Sequence, residues 1–288
     1  MRKKNGLLIA AVLLIYFIGA AVLLYPMVAS MWAKKHQLVV VEDYTAAVKE
    51  TDRSEIEAEL AAARKYNASL LENSVMLSDP FDPEAPEFPD GEYDELLDLS
   101  DVMAYIEIPR IQVNLPVYHG TEKETLEKGV GHLEGTSLPV GGIGTHACLS
   151  AHTGLPTAEL FTNLTKLKTG DQFFIHVLDQ TLAYQVDNIS VVDPTDISLL
   201  TIGEDTDYIT LITCTPYAVN THRLLVRGTR IEYSENAVQK PVQQIVITEL
   251  STIEKVQLGA MGLGVILFAV LIVLLLKPKK QRRESLQR

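Results

Sequence analysis

The chain has 288 residues and a formal net charge of −12, and its length allows one or two domains. Nine of its 25 basic residues lie in the first four and last twelve positions, whereas these tails hold one of the 37 acidic residues. The acidic segment between the tails argues against nucleic-acid binding and against close contact with anionic lipid. We expect its partner to be a protein or a peptide.

Two uncharged stretches, 5–33 and 256–276, are long enough to cross a bilayer core, which needs about 20 residues. Basic residues precede the first stretch and follow the second, so the positive-inside rule places both termini in the cytoplasm. A cleavable signal peptide is the alternative for the first stretch, but its apolar part exceeds the roughly 7–15 residues of such peptides. We therefore predict an anchor within 1–33, a transmembrane helix over 256–276 and a basic cytoplasmic tail over 277–288.

Residues 34–76 predict an extracellular helical segment, because strong helix formers such as Ala and Glu dominate 55–65 and helix breakers are few. The segment lacks the density of apolar residues that a core element has. Two interpretations stay open at this point. It is either a stalk or collar that holds a domain away from the membrane, or an amphipathic helix on the surface of that domain.

Residues 77–101 form an acidic, proline-rich segment in which prolines occur at positions 80, 83, 86 and 89. This spacing of three is the period of a polyproline II helix. A semi-rigid linker is one interpretation. Asp79 and Phe81 favour another, because a carboxylate and an aromatic ring are the groups needed to pair with an arginine and to cover a thiol. The alternative prediction is therefore a docked lid.

Short β-type runs fill the next segment, 102–232, and no long helix separates most of them, which favours a mixed or antiparallel barrel or sandwich. Short helices are predicted at 123–129 and 158–166, and residues 233–255 form a polar linker. The predicted strands cover 104–108, 113–118, 146–151, 172–178, 181–192, 208–214 and 224–231.

The chain has two cysteines in different settings. Cys148 lies within an apolar run, where a free cysteine behaves as a small buried hydrophobe, so we assign it to the core. Cys214 lies at the end of a predicted strand that Thr215 and Pro216 terminate, so its thiol can face a cleft. A disulfide between the cysteines is the alternative, but a chain of this size does not need one.

Arg223 begins the strand that follows Cys214, so a hairpin would bring a thiol and a guanidinium to the same rim. A nucleophile and a fixed cation for a developing oxyanion indicate acyl transfer. The nucleophile also needs a base, and the best candidate is His152, which ends a predicted strand just before Gly154. His222, eight residues after Cys214, is the second candidate.

The segment Leu211-Ile-Thr-Cys-Thr-Pro, with Arg223 nine residues after the cysteine, resembles the TLxTC…R signature of sortases, the transpeptidases of Gram-positive cell surfaces. The run from Gly144 to Gly154 resembles the stretch that holds their catalytic histidine. The longer match over 213–228, the two predicted spans and the Asp-Pro-aromatic sequence at 79–81 are similar to class C, the branch that polymerises pilins. A phenylalanine stands at position 81, where many class C lids have tryptophan.

This resemblance implies an eight-stranded β-barrel in which Cys214 is the nucleophile, His152 the general acid and base, and Arg223 the residue that positions substrate and stabilises the oxyanion. It also implies that Asp79 and Phe81 close over the site as a lid. The implied substrates are pilins with an LPxTG-like sorting signal and an acceptor lysine, and we expect no cofactor and no metal. The alternatives are a sortase that anchors proteins to peptidoglycan, a non-catalytic assembly scaffold, and a papain-like protease, which the lack of a long helix before Cys214 disfavours.

Overall fold

The computed structural model describes residues 2–72, 77–82 and 91–234 and the single positions 259, 262 and 264. Two compact units are present, Met1–Ser30 with Ile245–Arg288, and Met31–Gln244. The predicted C-terminal span and basic tail, and the linker beyond residue 234, lie outside the described residues apart from those three positions. The first helix, α1, spans Arg2–Glu50, and its part Ala11–Glu50 contains a window long and apolar enough to cross a membrane.

The predicted extracellular helix is two helices, because α1 continues without a break to Glu50 and α2 spans Arg53–Glu72. Helix α2 is fastened to the β domain by Asn67, whose side-chain nitrogen donates to the carbonyl of Leu138 at 3.0 Å and whose oxygen accepts from the Leu138 N–H at 2.7 Å. The C-terminal part of α1 is held in a similar way by the buried hydroxyl of Tyr44. These two segments are therefore packed on the domain.

Eight strands form a closed barrel in the order β1-β2-β3-β4-β7-β8-β6-β5, which confirms the predicted fold. The pairs β2–β3 and β4–β7 are parallel, and the other pairs are antiparallel. The strands are β1 Ala104–Ile108, β2 Val113–His119, β3 Val130–His132, β4 Thr145–Ser150, β5 Gln172–Val177, β6 Gln180–Val192, β7 Asp207–Thr215 and β8 His222–Ile231.

The described helical pieces between strands are short. Helix α3 spans Glu92–Glu95 and α4 spans Lys123–Lys128, the latter close to its predicted bounds. Three single 3₁₀ turns cover Pro109–Ile111, Leu164–Lys166 and Ser198–Leu200. The predicted helix at 158–166 is wrong apart from its last turn, because Leu160 adopts a φ of 40°, which an α-helix excludes.

Alternating residues of β4, β7 and β8 divide between two apolar clusters, since successive side chains of a strand point to opposite faces. Leu149, Leu211 and Val226 belong to the large core that fills the barrel. Their neighbours belong to a smaller cluster on the outer face, which we call the outer cluster. It comprises Leu133, Cys148, Leu200, Ile212 and Leu225, with Leu77, Phe81, Val192 and Ile197 packed against it.

Candidate active site

Strand β7 carries Cys214 and lies between β4 and β8 in the barrel. On one side, Cys214 is paired with Arg223 of β8 in the antiparallel ladder. On the other side, the last parallel pair joins Ser150 of β4 to Ile212. The Ala151 N–H continues this pairing by donating to the carbonyl of Ile212 at 3.1 Å. Extended by two residues past the end of β4, the register places His152 level with Cys214, and paired strands are about 4.8 Å apart. We call His152, Cys214 and Arg223, in this order across the strand ends, the catalytic row, after the role that the sequence predicts for them.

His222, the second candidate base, lies on the other face of β8. It is paired with Thr215, whereas Arg223 is paired with Cys214, and consecutive residues of a strand face opposite sides. The exposed ring of His222 faces solvent, with its Nε2 4.0 Å from Asp193 Oδ1. The register therefore favours His152 over His222 as the partner of the thiol.

Burial controls the protonation of the thiol and the imidazole. Burial raises the pKa of Cys214; the Arg223 cation opposes this shift, and the Asp79 carboxylate adds to it. Burial also lowers the pKa of His152, and Glu127 of α4 opposes that shift. Both effects favour a neutral thiol beside a neutral imidazole in the closed arrangement that the structure describes.

The guanidinium of Arg223 is held from two sides. Its Nε donates to Asp79 Oδ1 at 2.8 Å, and one terminal nitrogen donates to Asp79 Oδ2, so the carboxylate binds in a bidentate manner. The other terminal nitrogen donates to the carbonyls of Asn220 and His222 at 3.1 and 3.2 Å. The predicted contact between Asp79 and Arg223 is therefore present, and both side chains are almost fully buried.

Phe81 contacts both ends of the catalytic row. Its ring centroid lies 5.6 Å from that of His152 and 5.1 Å from the central guanidinium carbon of Arg223. Cys214 lies between these two residues in the catalytic row, and the ring also packs against the outer cluster. Residues 77–82 therefore lie against the site, whereas the polyproline II prediction for 83–89 falls outside the described residues.

Cys148 is fully buried in the outer cluster, and burial raises the pKa of its thiol strongly. Both cysteines are free, so the predicted assignment of Cys148 to the core is confirmed and the disulfide alternative is wrong. Among the described residues, no group of three or more His, Cys, Asp or Glu side chains could hold a metal ion.

Two features of the site were missed by the sequence analysis. Tyr217 lies over Gly154, because a Cβ added to that glycine would meet the tyrosine ring at 3.0 Å. The Tyr217 loop therefore packs on the turn that follows His152. The second is Ser150, a fully buried serine on β4 two residues before His152. A single serine in an otherwise apolar run gives no sequence signal of a functional role.

Comparison with known proteins agrees with this arrangement. A family model described as Sortase domain matches residues 106–231. Sortase D of Bacillus subtilis is 28% identical over 171 residues, which cover 58% of this chain and 76% of that protein. The solved sortase C1 of GBS Pilus Island 1 is 46% identical with a TM-score of 0.65, and the match covers 71% of this chain and 96% of that chain.

Sortase C-1 of Streptococcus pneumoniae is 48% identical with a TM-score of 0.64, and the match covers 67% of this chain and 98% of that chain. These matches span nearly the whole of each solved structure, and the family model covers the barrel from β1 to β8. The chain therefore belongs to the sortase family, in its class C, pilus-related branch.

Proposed function

We propose that this chain is a membrane-anchored cysteine transpeptidase that cleaves an LPxTG-like sorting signal between Thr and Gly and joins the threonine to a lysine of a pilin. The observation that carries this proposal is the catalytic row, in which an imidazole just past the end of β4, a thiol on β7 and a guanidinium on β8 lie side by side under the ring of Phe81. The pilus-related titles of the solved neighbours support a pilin as the substrate.

In the first half-reaction, His152 takes the proton of the Cys214 thiol, and the thiolate sulfur attacks the carbonyl carbon of the substrate threonine. The Arg223 guanidinium stabilises the oxyanion of the tetrahedral intermediate. The C–N bond to glycine then breaks as the His152 imidazolium gives its proton to the departing amine. The products are a thioester on Cys214 and a free glycine amine, and His152 is again neutral.

In the second half-reaction, the neutral amine of a pilin lysine attacks the thioester carbonyl. His152 accepts a proton from the attacking nitrogen, an isopeptide bond forms and the C–S bond breaks. The thiolate of Cys214 takes the proton back from His152, which restores the starting state. Repetition on successive pilins yields a covalent polymer.

The bidentate pair between Asp79 and Arg223 supports a lid role for residues 77–82. Arg223 cannot contact a substrate oxyanion while its Nε and one terminal nitrogen are bound to the Asp79 carboxylate. We infer that Phe81 covers Cys214 in this state, because its ring contacts the residues on both sides of that cysteine. Displacement of the lid would then free the cation and the thiol together.

The apolar window within α1 supports anchoring of the chain in the membrane. With the basic residues before it in the cytoplasm, the barrel lies outside the cell, where pilins assemble. A second span over 256–276, with its basic tail in the cytoplasm, belongs to the same proposal.

The test uses the full chain in detergent with a Leu-Pro-Glu-Thr-Gly peptide and a lysine-bearing pilin, analysed by mass spectrometry. We expect a thioester on Cys214 and then a peptide-to-lysine isopeptide, neither of which Cys214→Ala forms. Cys148→Ala is the matched control and should form both products, because Cys148 is buried away from the catalytic row. Turnover only with peptidoglycan-like amines would instead indicate wall anchoring, and no adduct even after lid removal would indicate a scaffold.

A further inference from the structure

Ser150 has a buried hydroxyl that its surroundings do not explain. The residue is fully buried, and its Oγ has no hydrogen-bond partner among the residues that the structure describes. A buried hydroxyl without a partner destabilises the folded state by about 1–3 kcal/mol. A serine at this position is therefore unfavourable in the closed arrangement.

Other buried hydroxyls in the same region are paired. Thr213 donates to the carbonyl of Ala151 at 2.7 Å, and Thr136 donates to the carbonyl of Leu133 at 2.6 Å. Thr210 lies 2.7 Å from His146 Nε2. Each of these hydroxyls has a structural role that Ser150 lacks.

The strand registers place Ser150 next to the catalytic row, two residues before it along β4 and β7. It is paired with Ile212 on β7 and with Gly131 on β3, and it lies two residues before His152. Alternation along β4 and β7 puts Ser150 on the same face as Cys148, Ile212 and Cys214. Ile212 belongs to the outer cluster, against which Phe81 packs, so Ser150 adjoins the surface that residues 77–82 cover.

We propose that Ser150 is a substrate-positioning residue whose hydroxyl donates a hydrogen bond to the main chain of the bound sorting signal once the lid has moved away. This inference rests on the proposed transpeptidase function. Two strand residues span about 7 Å. An extended peptide that runs in the direction of β7 with its threonine carbonyl at Cys214 therefore brings the residue two positions earlier level with Ser150.

In an LPxTG-like signal that residue is proline, which has no N–H but has a carbonyl that can accept. The donor is therefore Ser150 and the acceptor the proline carbonyl of the peptide. The apolar outer cluster, which includes Ile212 beside Ser150, suits the leucine and proline of the signal, while the hydroxyl supplies a polar group that fixes the register of the peptide along the strands.

The test measures steady-state cleavage of a fluorogenic Leu-Pro-Glu-Thr-Gly peptide by the full chain in detergent, in an Asp79→Ala/Phe81→Ala background that opens the site. We expect Ser150→Ala to raise KM about 5-fold with little change in kcat, the size expected for one lost hydrogen bond. Ser190→Ala is the matched control, because Ser190 is a half-buried serine of β6 that is paired with Leu225 and already donates to Asn188. This variant should leave KM unchanged.

A second peptide carries an ester in place of the amide after proline, which weakens the proline carbonyl as an acceptor. This ester should raise KM for the Ser150 enzyme more than for Ser150→Ala, because the variant has no donor to lose. Equal effects of the ester on both enzymes would overturn the proposal, as would an unchanged KM in Ser150→Ala. A lower Tm with a fall in kcat alone would assign Ser150 a merely structural role and would also overturn it.

The outcomes separate this inference from the proposed function. If the open-lid parent cleaves the peptide through a Cys214 thioester and Ser150→Ala behaves like the parent, only the Ser150 proposal fails. If the parent forms no thioester with the peptide, the transpeptidase proposal fails first.

Discussion

Arg223 is paired with Cys214 across the β7–β8 ladder while its guanidinium is bound in a bidentate manner by Asp79. The cation that the proposed chemistry needs is therefore already occupied by a carboxylate of the same chain. In the proposed mechanism, closure of residues 77–82 over the site and stabilisation of an oxyanion therefore compete for the same nitrogens.

Removal of the lid contacts should expose and acidify the thiol. Asp79→Ala/Phe81→Ala should raise the rate at which Cys214 forms a mixed disulfide with a small methanethiosulfonate at pH 7, with release of methanesulfinate, by about 10-fold or more, since burial and the Asp79 charge both raise the pKa of Cys214. The rate is measured by intact-mass spectrometry. Ser78→Ala, a change in the same segment, is the control, and equal rates in the double variant and the wild type would contradict the lid.

The two candidate histidines should differ sharply. His152→Ala should lower kcat by about 10²–10⁴-fold, the usual contribution of a general acid and base, whereas His222→Ala should stay within a few-fold of the parent. The reason is that His222 lies on the face of β8 opposite Cys214. Peptide cleavage by variants that also carry Asp79→Ala/Phe81→Ala provides the measurement. A large loss of kcat in His222→Ala would contradict the prediction, because it would identify His222 as the base.

Arg223 should have a catalytic role apart from its contact with the lid. In the Asp79→Ala background, Arg223→Lys should lower kcat about 10²-fold, because an ammonium lacks the planar fork that the carbonyls of Asn220 and His222 orient here. Arg227→Lys is the matched control, since Arg227 pairs with Asp187 outside the catalytic row. Full activity of the Arg223→Lys enzyme would contradict a catalytic role for Arg223 and would leave only its contact with Asp79.

His132 should make the barrel sensitive to acid. Burial lowers its pKa from 6.5 to about 4, so the unfolded chain takes up the proton first as the pH falls. The free energy of unfolding should therefore be unaffected by His132 above about pH 6.5 and should fall between about pH 6.5 and pH 4. The whole fall due to His132 amounts to roughly 3 kcal/mol.

Chemical unfolding at pH 7.5 and 4.5, followed by near-ultraviolet circular dichroism, tests this prediction. His132→Gln should show a smaller fall in the free energy of unfolding between these pH values than the wild type. Burial raises the pKa of Glu134 to about 7, an effect of opposite sign, and comparison of the two proteins removes it because both retain Glu134. Equal falls in both proteins would contradict the assignment.

Most strands of the barrel were predictable from the sequence, because each is a run rich in β-branched and other apolar residues and turn residues separate one run from the next. Strand β3 was not, since Val130–His132 is three residues long and contains a central glycine. The 158–166 segment was mispredicted because its buried leucines have a helix-like spacing, although the backbone turns at Leu160.

The candidate residues of the site were predictable as residue types at strand ends, but their arrangement was not. The approach of His152 to Cys214 depends on the parallel pairing of β4 with β7, and sequence spacing contains no signal for that pairing. The choice between His152 and His222 also required the register of β8, which assigns each histidine to a face. The missing partner of Ser150 is visible only when the packing around it is known.

The parallel pairing of β4 with β7 also has a consequence for biogenesis. The two strands are separated along the chain by β5 and β6, so their contact has a high sequence separation and forms only when the barrel closes. A chain in which this pairing has not yet formed therefore has its cysteine without the imidazole beside it. The thiol and its predicted base come together only as the fold is completed, so a partly folded chain lacks the arrangement that the proposed chemistry needs.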